Sequence, residues 1–325
     1  MFKLKQINTE KLSEIDFADS IDLFIGCLGY EERAIYQAKE IFDNIKDNII
    51  IVFGNHEDEH FRKINEEFFK KNNFNLLYTD TPNKERESLL KIDEKINEIL
   101  NNSNDVVNVY IDYSSMTKSW YSHILLGIFN NERKENLKII LGYSHAEHVR
   151  SKLIDNYNRI VTPLFGYCNL SVPNIPTSVV IGLGNEANRV IGLKEYFDTV
   201  PFVFHSDETY NSEYYKDATD LLESYLSRIP SKNIFTYPIN DLIYTYYLME
   251  NLCSSLIKNH RVIIAPCGPK PFTVLSLILS LKYSDIIEVW QITPGDNLEK
   301  INRKPTGLVT ILELDFIKDA EQEIS

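Results

Sequence analysis

Residues 111–120, IDYSSMTKSW, close an apolar run on a carboxylate and then set hydroxyls and one lysine where a helix is expected to begin. Small hydroxyls, the free N–H groups of a starting helix and a lysine are the donors a phosphate needs. Ser114, Ser115, Thr117 and Lys118 are therefore expected to contact an anion, with Asp112 capping the helix or holding a ribose hydroxyl. A second turn of this type follows another apolar run at Cys267-Gly268-Pro269-Lys270, where Gly268 permits close backbone approach and Lys270 supplies the charge. Taken singly, either turn also reads as an ordinary N-cap beside a solvated lysine.

Two glycine turns match these lysine turns. Gly26-Cys-Leu-Gly29-Tyr-Glu31 and Gly182-Leu-Gly184-Asn-Glu186 each end the first apolar run of one half of the chain, and the lysines follow at nearly equal distances. Glu31, Arg33 and Glu186 then open the next helices. There a carboxylate could bind a ribose or a base edge and Arg33 a phosphate, although acids at a helix start also simply complement its dipole. In an enzyme, Glu31 or Glu32 would be the first acid/base candidate, with Glu31, Asp112 and Lys118 sharing a crevice.

The elements that must position these residues alternate. Strand-like DLFIG, NIIIVFG, LLYTD, VVNVYID and KIILGYS are separated by helices expected near 31–45, 60–71, 84–100 and 117–130. VVIGLG, VPFVFHS, NIFTYP, RVIIAP, IIEVWQI and GLVTILEL repeat the order, with helices expected near 187–197, 213–228, 241–258 and 272–281. Apolar strands alternating with amphipathic helices define an α/β fold with mostly parallel sheets covered on both faces. The expected organisation is an N-terminal extension over 1–19, a Rossmann-like domain over 20–166, a linker over 167–177 and a second Rossmann-like domain over 178–325, a tandem duplication. In such sheets ligands collect beyond the carboxyl ends of the strands, where strand order reverses.

The elements IDYSSMTKSW and IAPCGPKPFTV resemble the [ST]-G-G-T-K type turn after the fourth strand of CARF domains, the Rossmann-like sensors of cyclic oligonucleotides in CRISPR-linked defence. SAVED domains, which look like two fused CARF units, give the nearest architectural parallel. The likeness covers most of residues 20–315 as architecture and two short turns as motif. Ser114-Ser115-Met116 and Cys267-Gly268-Pro269 depart from the glycine-rich triplet. The resemblance implies that Lys118 and Lys270 contact phosphate and that Gly29 and Gly184 shape the facing loops.

Composition narrows the functions. A formal net charge of -13 argues against duplex nucleic acid or anionic membrane as a partner, because both require clustered Lys and Arg. No apolar run reaches the length of a membrane span and the start lacks a secretory pattern, so a cytoplasmic protein is expected. Cys27, Cys168, Cys253 and Cys267 lack pairing or zinc-knuckle spacing. His56-Glu57-Asp58-Glu59-His60 literally fits the H-E-x-x-H pattern, yet it directly follows a strand and reads better as a helix start rich in acids. His145 and His148 could meet a ligand at the same sheet edge, and Tyr244, Tyr246 and Tyr247 point in different helical directions, which suits packing better than base stacking. No metal or cofactor is expected.

The expected function is a nucleotide sensor, possibly for a cyclic oligonucleotide, acting through an effector protein or by self-assembly. The alternatives are an enzyme cleaving a nucleotide, a cyclic oligonucleotide or NAD in the first crevice, and a two-domain glycosyltransferase-like enzyme, since one α/β architecture hosts many chemistries.

Overall fold

The computed structural model describes residues 1–15, 20–149, 160–169, 174–184, 192–193, 195–207, 216, 223, 226–284, 286–293 and 300–317. Two compact units divide the chain, one formed by Met1–Glu147 with Lys300–Ser325 and the other by His148–Glu299.

In the first unit, β1 (Phe2–Thr9), β2 (Leu23–Leu28), β3 (Asn48–Phe53), β4 (Leu76–Thr79), β5 (Val107–Asp112), β6 (Leu137–Ala146) and β13 (Pro305–Phe316) form one sheet in the order β1-β13-β6-β5-β2-β3-β4. The pairs from β6 through β5, β2 and β3 to β4 are all parallel. β13 joins β6 antiparallel, and β1 joins β13 antiparallel. The central strands are apolar on both faces because helices α1 (Tyr36–Glu40), α2 (Arg62–Lys71), α3 (Pro82–Asn102) and α4 (Lys118–Phe129) connect them.

The second unit repeats the parallel core. Its sheet runs β10-β9-β8-β11-β12-β7, built from β7 (Ile160–Pro163), β8 (Thr177–Gly182), β9 (Phe202–Ser206), β10 (Ile234–Tyr237), β11 (Arg261–Pro266) and β12 (Ile287–Thr293). Helix α5 (Leu242–Leu256) precedes β11 and α6 (Lys270–Lys282) follows it. Every residue of α6 from Pro271 to Ser280 is buried, and its hydroxyls stay satisfied: Ser276 Oγ donates to Phe272 O at 2.8 Å and Ser280 Oγ to Ile287 O at 2.7 Å. Of the helices expected near 187–197 and 213–228, only residues 192–193, 195–197, 216, 223 and 226–228 are among the described ones, and 192–193 and 195–197 are helical.

Numbered within its own unit, each parallel core has the order 3-2-1-4-5, so strand order reverses between β2 and β5 in one and between β8 and β11 in the other. Both units are thus Rossmann-like. The antiparallel strand beside the fifth position is exchanged in sequence. β7, which follows β6 in the chain, pairs with β12, and β13, which follows β12, pairs with β6.

This exchange moves the expected boundaries. Residues 1–19 are not an appendage, because Phe2–Thr9 form an edge strand whose exposure alternates along Phe2-Lys3-Leu4-Lys5. GLVTILEL is not the last strand of the second domain but an internal strand of the first sheet. The segment 167–177 belongs to the second unit, where Tyr167 is buried and its carbonyl accepts from Val289 N at 3.1 Å. Strand partnership is set by backbone hydrogen bonds between distant segments, which leave no local mark in sequence.

Candidate functional site

The lysine turn of the first unit is built from buried bonds outward. Asp112 ends β5, and its Oδ1 accepts from Gln37 Nε2 at 2.8 Å and from Ser114 N at 3.0 Å. Gln37 Nε2 also donates to Ser114 Oγ at 2.9 Å, Ser114 Oγ accepts from Ser144 N at 2.8 Å, and Tyr110 donates its hydroxyl to Gln37 Oε1. Asp112 and Ser114, expected to meet the ligand, instead hold the turn to the sheet below it. The cap of α4 is Thr117, whose Oγ1 accepts from Trp120 N at 3.4 Å, so Asp112 does not cap the helix. Ser115 and Lys118 are half-buried, with Lys118 the first residue of the helix.

Gly26 lies inside β2 rather than in a loop, where an added Cβ would stand 2.7 Å from the Phe24 ring. Gly29 is the loop glycine, and a Cβ there would lie 3.6 Å from Ser115 Cβ and 3.7 Å from the Phe53 ring. The glycine loop and the lysine turn therefore touch over the reversal of strand order. Asn65 of α2 fixes the loop by donating to Gly29 O and Glu31 O, both at 2.9 Å.

Glu31 follows, and its Oε2 accepts from Ser115 Oγ at 3.0 Å and from Arg33 Nε at 2.8 Å. Arg33 is only 2% exposed, donates to Ser144 O at 2.8 Å and lies 5.2 Å from the Tyr143 ring centroid. Expected to reach a phosphate, Arg33 is turned inward, with Glu31 beside it keeping the guanidinium charged against the cost of burial. The first N–H groups of this turn are also spoken for: Glu32 N donates to Asn302 Oδ1 at 2.9 Å and Arg33 N to Arg303 O at 3.2 Å. The continuous helix expected over 31–45 is accordingly two short 3-10 turns flanking α1.

In the second unit Gly182 ends β8 against Phe272, and Cys267 N donates to Gly182 O at 2.8 Å. Gly184 and Gly268 interlock: a Cβ on Gly184 would stand 2.3 Å from Cys267 O, and one on Gly268 would stand 2.4 Å from Leu183 O. These glycines let the two loops approach each other. Lys270 is half-buried and opens α6 behind Pro269. Glu186 lies outside the described residues.

The HEDEH segment forms turns, with α2 starting only at Arg62. His56 and His60 both adopt left-handed backbone, with φ of 74° and 37°, so they do not share a helical face. His56 meets Tyr30 edge-on at 5.5 Å between ring centroids, and His60 Nε2 lies 2.9 Å from Lys300 O. Among the described residues no group of three or more His, Cys, Asp or Glu is arranged to hold a metal, and no helix is long and apolar enough to cross a membrane.

His145 points into the first unit instead of toward the sheet edge. Its Nε2 lies 2.8 Å from Thr310 Oγ1, and burial together with the nearby Arg33 charge lowers its pKa from 6.5 to about 3. The folded chain therefore binds fewer protons than the unfolded chain between these values. Stability from the neutral imidazole is full above pH 6.5 and is lost as pH falls toward 3, by about 2 kcal/mol at pH 5. We expect His145→Asn to flatten the drop in denaturation midpoint between pH 7 and pH 5; an unchanged drop would show that other groups carry it.

Sequence reasoning missed Tyr30, Gln37, Asn65, Lys300 and Arg303. Tyr30 sits inside the glycine turn without a role assigned to it by sequence, Gln37 and Asn65 carry no motif, and Lys300 and Arg303 arrive from the far end of the chain. The fold and its two loop pairs define a class, the tandem Rossmann-like α/β protein with a lysine-opened helix at each reversal of strand order. No family model matches the chain, and no curated protein matches its sequence.

Proposed function

We propose that this protein is a nucleotide sensor, with a cyclic oligonucleotide as the preferred ligand class, of the kind that CARF and SAVED proteins provide in prokaryotic antiviral defence. One observation carries the reading: each unit sets a lysine-opened helix directly after the fourth strand of a 3-2-1-4-5 sheet, beside the loop after its first strand. That is where parallel α/β sheets bind phosphates, and a helix start with a lysine supplies both partial and full positive charge. Ser115, Thr117 and Lys118 in the first unit and Lys270 in the second are the proposed contacts. Output passes to a partner protein or through self-assembly.

Incubation with linear and cyclic nucleotides and NAD, followed by mass spectrometry and calorimetry, tests this. A ligand bound and returned unchanged is the expected result, whereas turnover would make the protein an enzyme. Lys118→Ala and Lys270→Ala are each expected to weaken the ligand about tenfold or more, the worth of one charge-assisted contact, with unchanged thermal unfolding. Full affinity in both variants would remove the phosphate seats.

A further inference from the structure

Four residues of the segment returning into the first unit bind its carboxyl edge through their backbone or side chains. Lys300 O accepts from His60, Asn302 Oδ1 from Glu32 N, Arg303 O from Arg33 N, and Lys304 O from Glu147 N. Lys300 and Lys304 are further paired with Glu59 and Glu147, at 2.7 and 2.8 Å. The Arg303 side chain is held differently. It is 43% exposed, and its Nε lies 3.5 Å from Glu31 Oε1, longer than the 2.8 Å bond by which Arg33 holds the other oxygen of that carboxylate.

We propose that Arg303 is an anion-binding residue of the first unit's site, pinned by its backbone and able to pass its guanidinium from Glu31 to a phosphate of the ligand. The inference rests on the nucleotide reading above and adds a contact to it. Two guanidiniums, those of Arg33 and Arg303, face the single Glu31 carboxylate, the first buried and the second exposed. A second cation on one acid at an exposed edge suits an anion in a chain whose net charge is -13. Ser115 Oγ binds the Glu31 carboxylate that Arg303 also faces, which sets the guanidinium beside the turn carrying Lys118. An exposed guanidinium on an anchored backbone gives up little order on binding and offers a planar fork that matches phosphate oxygens.

The test measures affinity for the nucleotide panel and inorganic pyrophosphate by calorimetry with the full chain. Variants are Arg303→Ala, Arg303→Lys, Lys304→Ala as a neighbour in the same segment, and Lys118→Ala as the reference contact. Arg303→Ala should weaken the nucleotide about tenfold, Arg303→Lys less, and Lys304→Ala under about twofold, with thermal unfolding unchanged. Should Arg303→Ala alter unfolding, the Arg303→Lys affinity decides, because it keeps the charge and loses the fork. Parental affinity in both Arg303 variants with loss in Lys118→Ala overturns this inference and leaves the nucleotide reading standing. No binding by any nucleotide overturns both.

Discussion

A chain ended before Lys300 is expected to lose the first unit altogether. β13 lies between β6 and β1, so its removal frees β1 and strips the antiparallel partner from β6. Val309, Ile311, Leu312 and Leu314 of β13 are 0% exposed, and Val309 and Ile311 belong to a buried apolar cluster with Phe24, Ile50 and Tyr110. Burying one such side chain fully contributes about 1.5–3 kcal/mol, so losing four approaches the whole stability of a typical domain. Glu313 adds a polar tie, facing Lys5 of β1 at 3.2 Å and Lys138 of β6 at 3.4 Å. Circular dichroism and limited proteolysis should show the first unit without a cooperative transition. Ile311→Ala in the full chain is the graded version, with a loss of about 3 kcal/mol. A truncated chain that melts like the parent would mean that the exchanged strand is dispensable.

The second large effect comes from the ion pair beneath the loop. Glu31→Ala leaves the guanidinium of Arg33, 2% exposed, without its carboxylate, although Ser144 O still accepts from it. Breaking a buried pair from one side costs about 3–5 kcal/mol, because the remaining charge stays desolvated. The 15% exposure of the Glu31 side chain places the expected loss at the lower end, about 3 kcal/mol in a denaturant titration. Arg33→Met combined with Glu31→Gln should cost less than the two single changes together, since neither charge is then stranded. Strict additivity would show that the pair does not act as a unit.

Both predictions concern one loop and the segment laid across it. The carboxylate first read as a ribose contact or a general base is engaged by Arg33, Ser115 and Arg303, and the arginine first read as a phosphate contact is interior. The same residues thereby hold the loop at a fixed distance from the lysine turn. On the proposed reading, the ligand contacts left on this edge are Ser115, Thr117, Lys118 and Arg303.

Much of the architecture was legible because it is written locally. Runs such as IIIVF are apolar without alternation, as strands covered on both faces must be, and α3, expected near 84–100, forms over Pro82–Asn102, where the Thr81 cap accepts from Lys84 N at 3.2 Å. The lysine turns were legible too, since Thr117 caps its helix with the residue type that free N–H groups demand. Tertiary structure decided what depends on distant partners. FKLKQINT alternates like an edge strand, but nothing within it names β13 as its neighbour, because backbone hydrogen bonds are the same for every sequence. Burial likewise decided the direction of Arg33, Asp112 and His145. A charged or polar side chain at a sheet edge can face solvent or the interior, and only the partners that arrive there, Ser144 O, Gln37 and Thr310, make the interior affordable. Arg303 reaches the site for the same reason: the chain returns to a sheet it left far earlier, and the hydrogen bonds that anchor it exist only once both segments have met.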